Sequence, residues 1–199
     1  IYIESSLNSA SFEEFKNDEG VNTLENKYSK PVELGIGVGL IFNMTKNQRL
    51  KWDLGVNYNN YKINTSFISG NSSIPSQYNL YYVSFKTGPY FSVVNHSRIK
   101  LQLHAHSSLD HLISGSNQYM DRYIDLNTDK SFSKLVFNAH YGATLEVVLS
   151  DSNSFYISFD SKNSITNAIE ADQSYRLNST SILAGLRFKL NKIQNPQIH

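Results

Sequence analysis

The chemically richest stretch of this sequence is 98–111, RIKLQLHAHSSLDH, where His104, His106, Asp110 and His111 stand close together. Imidazoles two residues apart on a strand share a face and can chelate a metal ion. A histidine paired with an aspartate can also act as the general base of a membrane hydrolase or protease. His140, from a later segment, could join either arrangement. Neither chemistry is fixed by the sequence, because no serine motif accompanies the histidines and no third carboxylate is placed by spacing. Hydrogen bonding inside a polar barrel interior accounts for the same residues. The reading adopted is therefore a non-enzymatic protein, with no catalytic residue, no metal and no cofactor.

The elements that carry these residues are strands. Arg98, Lys100, Gln102, His104 and His106 alternate with Ile99, Leu101, Leu103 and Ala105. The same period-2 pattern recurs in eight segments, roughly 1–15, 32–44, 49–63, 79–95, 97–112, 133–150, 153–163 and 177–191. The clearest, VELGIGVGLIF, sets Val32, Leu34, Ile36, Val38, Leu40 and Phe42 against Glu33, Gly35, Gly37 and Gly39. Short connections (NMTKNQR, NHS, SDSN) alternate with long polar ones near 16–31, 60–79, 113–132 and 163–178. Short turns at one end and long loops at the other are the asymmetry of an outer-membrane barrel.

Composition narrows the class. With 199 residues the chain fits one domain, 1–199. A net charge of +1 gives no basic field for nucleic acid, and the absence of cysteine excludes disulfides and thiolate metal sites. Mean hydropathy is −0.38 and no apolar run is long enough for a spanning helix. The start at Ile1, without Met or a charged leader, looks processed or trimmed.

The direction of each face decides between a soluble barrel and a membrane barrel. The polar faces collect Glu4, Glu33, Lys51, Asp53, Lys86, Arg98, Lys100, His104, His106, Glu146, Asp160, Lys162, Arg187 and Lys189, with both signs of charge. They also collect Gly35, Gly37, Gly39, Gly55, Gly88, Gly142 and Gly185. Glycine on a solvated face weakens a strand and covers nothing. Inside a narrow eight-stranded lumen it makes room for long charged side chains from across the barrel. The apolar face is large and almost glycine-free, as a lipid-facing band should be. Tyr58, Tyr81 and Tyr141 lie near the ends of such bands, where an aromatic girdle belongs. A lipocalin-like soluble barrel would instead carry its apolar face inside. The expectation is an all-β, eight-stranded antiparallel up-and-down transmembrane barrel.

Its lumen charge network is expected to comprise Glu33, Lys51, Asp53, Lys86, Arg98, Lys100, His104, His106, Glu146, Asp160 and Arg187. Buried charge needs partners, so a static plug is a better account of these groups than a gate in a channel. Of the loops, SGSNQYMDRYIDLNTDK is the better binding candidate over SGNSSIPSQY, with Tyr119, Met120, Arg122 and Tyr123 as the residues that could meet a partner. The closing GLRFKL places Gly185, Phe188 and Leu190 at the spacing of a barrel-assembly signal, although Leu183 stands where that signal usually has a polar residue.

The order and spacing of VELGIGVGLIFNM, LKWDLGVNYNNYK, YVSFKTGPYFSVV, SITNAIE and RLNSTSILAGLRFKL resemble the small PorT-like outer-membrane β-barrel proteins of Bacteroidota. The resemblance covers most of the chain through loose motifs, none catalytic. It implies an eight-stranded barrel in the outer membrane of a Gram-negative bacterium, delivered after signal-peptide cleavage, with periplasmic termini. Some such proteins are linked to type IX secretion. The expected function is an accessory or structural subunit of a secretion, export or assembly complex, whose partners are membrane lipid and other envelope proteins. The alternatives are a small porin-like channel, a ligand-binding barrel or, less readily, a barrel enzyme.

Overall fold

Alternating apolar and polar residues can satisfy a strand only if its two faces meet different surroundings, and in this chain eight long strands do so by closing into a ring. The computed structural model describes residues 1–17, 24–26, 30–69, 72–170 and 173–189. In chain order the strands are β1 (Tyr2–Asn17), β2 (Leu24–Asn26), β3 (Val32–Asn43), β4 (Leu50–Ser69), β5 (Ser72–Asn95) and β6 (Ile99–Tyr119). They continue with β7 (Arg122–Asp125), β8 (Leu135–Val148), β9 (Asn153–Ser164), β10 (Ile169–Glu170) and β11 (Gln173–Phe188). The antiparallel ring runs β1-β3-β4-β5-β6-β8-β9-β11 and closes where β11 pairs with β1, from Tyr2↔Arg187 to Asn17↔Gln173. The short β2, β7 and β10 add to β4, β6 and β11.

Closure gives each of the eight long strands a partner on both sides, and β4, β5 and β6 run on past their neighbours at the end away from the short turns. Three tight turns, 44–49, 96–98 and 149–152, lie at the same end as Ile1 and the end of β11. In the first of them Thr45 Oγ1 accepts from the Leu50 amide at 3.1 Å, and Gln48 takes a φ of 55°.

Next to the short turns the barrel is inside out by the standards of a soluble protein. Ile3, Leu34, Ile36, Val38, Leu54, Val56, Phe85, Leu103, Leu145, Ile157, Phe159 and Leu186 point outward and are exposed. Glu4, Lys51, Asp53, Lys86, Lys100, His104, His106 and Glu146 point inward and are buried. Only lipid on the outside makes this arrangement stable, since a water-facing apolar surface of this extent is unfavourable.

Farther from the short turns the polarity reverses while the alternation continues without a break. On β4 the outward residues pass from Tyr58 to Asn60, Lys62 and Asn64, and the inward ones from Asn57 to Tyr61 and Ile63. On β5 the same change runs from Tyr81 to Asn79 outside, and from Ser84 to Tyr82, Leu80 and Tyr78 inside. The inward apolar side chains, with Phe12, Leu112, Leu126, Phe132, Val136, Tyr175 and Leu177, form one buried cluster. This half has the core of a water-soluble barrel. Tyr58 and Tyr81 stack at the boundary with ring centroids 6.4 Å apart.

The expected loop bounds change. The segment 60–79 reads as a long polar loop in the sequence, but β4 and β5 run on as a paired ribbon from Leu50↔Phe91 to Ser69↔Ser72. The ribbon looks loop-like because its outward face is polar, and its inward apolar positions carry the strand pattern. At 20, 24 and 21 residues, β4, β5 and β6 are about twice the roughly 10 residues that cross a bilayer. Of the assembly-signal residues, Gly185 and Phe188 lie in β11, and Leu190 lies outside the described residues.

Candidate functional site

The inward side chains of the membrane half form three layers of charge. In the layer beside the short turns, Lys51 from β4, Lys100 from β6 and Arg187 from β11 surround Glu146 of β8. Lys51 Nζ is 3.8 Å and Lys100 Nζ 3.6 Å from its carboxylate, and Arg187 donates to it directly. Ser154 donates to the same carboxylate, and Arg187 also donates to Gln102 Oε1 at 2.7 Å. The guanidinium lies over the Tyr156 ring, 4.4 Å from its centroid. A mouth of about 370 Å³ opens on this layer.

The middle layer is acidic. Lys86 of β5 bridges Glu4 at 3.2 Å and Asp53 at 3.8 Å. Glu4 also accepts from Tyr156 at 2.6 Å and Asn57 at 2.8 Å, and Tyr2 donates to Asp53 at 3.3 Å. Gly37 sits against Asn57 and Glu4, where any side chain would displace them. His104 and His106 stack at 4.9 Å, with Tyr90 packed on both. Asp160 of β9 lies between two imidazoles, 3.0 Å from His104 Nε2 and 2.8 Å from His140 Nδ1.

The third layer borders the aromatic core. Lys162 Nζ donates to Asp110 and to the Tyr61 hydroxyl, both at 2.8 Å, and Ser108 donates to Asp110. Across the three layers, five basic groups (Lys51, Lys86, Lys100, Lys162, Arg187) face five acidic ones (Glu4, Asp53, Asp110, Glu146, Asp160), so these layers balance among the described residues. An array of this kind holds strands from all around the ring to one another, and it occupies the space that solute would need.

Most of the lumen residues expected from the sequence meet here: Lys51, Asp53, Lys86, Lys100, His104, His106, Glu146, Asp160 and Arg187. Arg98 is a correction. It lies exposed in the 96–98 turn, because β6 begins only at Ile99 and the inward register starts with Lys100. Glu33 is a second correction: it has inward parity at the start of β3, but its half-buried carboxylate accepts from Asn60 of the outer face at 3.2 Å and has no ion-pair partner among the described residues. His111 is exposed on the outer face, separated by strand parity from His104, His106 and Asp110. Glu4 and Lys162, which the alternation puts on the polar faces, join the network, and so does Asp110, which the sequence groups only with the neighbouring histidines.

Tyr119, Met120, Arg122 and Tyr123 form the tip of the β6–β7 hairpin, where Tyr119 pairs with Arg122. Met120 takes a φ of 51° and is 57% exposed; Tyr123 is 74% exposed. Leu126 folds back into the aromatic core and anchors the hairpin's base, its amide donating to Gly115 O at 3.0 Å.

No family model matches this sequence, and no curated protein matches it. Solved structures do. Neisserial surface protein A (NspA) superposes with a TM-score of 0.53 at 10% identity, covering 95% of this chain and 96% of that one. OprG from Pseudomonas aeruginosa gives 0.49 at 8% identity over 96% and 95%. Ail, the attachment invasion locus protein of Yersinia pestis, gives 0.40 at 11% identity over 94% and 97%. At such identities the likeness speaks to fold alone, and the NspA superposition is the one that carries it: the chain has the architecture of an eight-stranded outer-membrane β-barrel.

Proposed function

We propose that this chain is an integral outer-membrane barrel of the PorT-like kind that acts without catalysis or transport, as an accessory or structural subunit of an envelope secretion, export or assembly complex. Its termini lie on the periplasmic side, where short turns belong in such barrels. The observation that carries the reading is the lumen itself. Paired charges fill the membrane half and an aromatic core fills the other half, leaving interaction to the surfaces. The long ribbons and the exposed β6–β7 tip supply such a surface outside the bilayer.

Purification of the native protein in a mild detergent tests this. Stoichiometric co-purification with other envelope proteins is the expected result. A lone monomer that hydrolyses an ester or peptide, or that gives regular conductance steps in a planar bilayer, would overturn it.

A further inference from the structure

We infer that the lumen binds one divalent transition-metal cation of the zinc class through His104, His106 and Asp160. A donor atom from each of these side chains lies within 4.8 Å of the others. Two imidazoles and a carboxylate are the ligands of zinc-like ions, whereas calcium and magnesium take oxygen almost exclusively. An approach of about 1.5 Å, shared between side chains, brings the farthest of such donors to the roughly 3.3 Å spacing of a tetrahedral site.

Three features suit these residues to a cation. His106 is 5% exposed, yet neither ring nitrogen has a hydrogen-bond partner among the described residues, and its Nε2 stands 3.7 Å from Asp53 Oδ2. A buried imidazole with both nitrogens unmatched is costly unless something binds it. Second, Gly142 lies in the row between His104 on β6 and Asp160 on β9. A Cβ there would fall 2.7 Å from His104 Nε2, so the bare backbone is what lets donors two strands apart converge.

Third, the charges balance over the three layers together but not within each. The middle and third layers set Glu4, Asp53, Asp110 and Asp160 against Lys86 and Lys162 only, so these ligands stand at the negative end of the array.

The surrounding hydrogen bonds fit as well. Asp160 Oδ2 takes the His140 hydrogen bond, so the metal would replace only the contact between Oδ1 and His104 Nε2. Ligation through His104 Nε2 puts the ring proton on Nδ1, which faces Thr144 Oγ1 at 3.4 Å. The neutral ring changes tautomer and no proton is lost. The ion would tie β6 to β9 across β8, a structural clamp independent of any partner outside the barrel.

The test uses the full chain, refolded in detergent, stripped with chelator and titrated with Co²⁺. One equivalent bound with a visible d–d band, displaced by Zn²⁺, is expected. His106→Ala and Asp160→Asn, recovered in the heat-modifiable folded form, should bind at least roughly tenfold more weakly. X-ray absorption of the zinc-loaded wild-type barrel requires no variant and should show scattering from two imidazoles. Failure of the folded wild type to take up an equivalent, undiminished uptake by His106→Ala, or a spectrum without imidazole overturns the inference.

Discussion

At Glu146 three cations converge on one carboxylate, and the arithmetic of buried charge makes that residue a sensitive one. Its replacement by glutamine keeps the volume but leaves Lys51, Lys100 and Arg187 mutually repelling. Removing one partner of a buried ion pair costs about 3–5 kcal/mol. Glu146→Gln should therefore lower the unfolding free energy of the micelle-embedded barrel by about 3 kcal/mol, measured by urea titration through the fluorescence of Trp52, the single tryptophan. The double change Glu146→Gln with Lys100→Met should recover part of the loss. Gly142→Ala fails for a different reason. The new methyl meets the Phe159 carbonyl and the His104 ring, and overpacking of that kind costs roughly 1–3 kcal/mol. The same unfolding curve measures it. No loss at Gly142 would mean that the His104–Asp160 contact is looser than described.

The strands were legible because period 2 survives from one end of each to the other, and the side that faces lipid was legible because glycine and charge share the opposite face. Val38→Arg puts this to a direct test. Val38 is exposed in the belt, and arginine near the midplane of a barrel costs about 2–4 kcal/mol. Asn79→Arg, outward on β5 but above Tyr81, should change stability by less than about 0.5 kcal/mol. If both are silent in lipid unfolding measurements, the belt has been misplaced. The reversal of polarity above Tyr58 was not legible, because a strand with a polar outer face and an apolar inner one is written like any soluble strand. Nor was Asp160 as the neighbour of His104. That contact crosses β8 and depends on a register no local spacing encodes. Arg98 went astray for a simpler reason: the alternation extends by eye into the turn, and the ladder stops one residue earlier.

For the molecule as a whole, filling and exposure predict opposite things. The filled lumen predicts no steady conductance when pure protein is added to planar bilayers. The exposed hairpin tip predicts that Met120→Ser with Tyr123→Ala leaves the heat-modifiable band intact while weakening capture of envelope partners. Capture equal to that of the wild type would place the interaction on the lipid-facing strands instead.

The change of polarity at Tyr58 and Tyr81 also sets how the molecule sits in its membrane. If the barrel rises, Val56, Phe85 and their neighbours enter water; if it sinks, Asn60, Lys62 and Asn79 enter hydrocarbon. Displacement in either direction is opposed from the first residue of travel, and tilting, which does both at once on opposite sides, is opposed twice over. The sequence thus carries its own waterline. Whatever assembles on the ribbons above does so at a fixed height and with its orientation to the bilayer already decided.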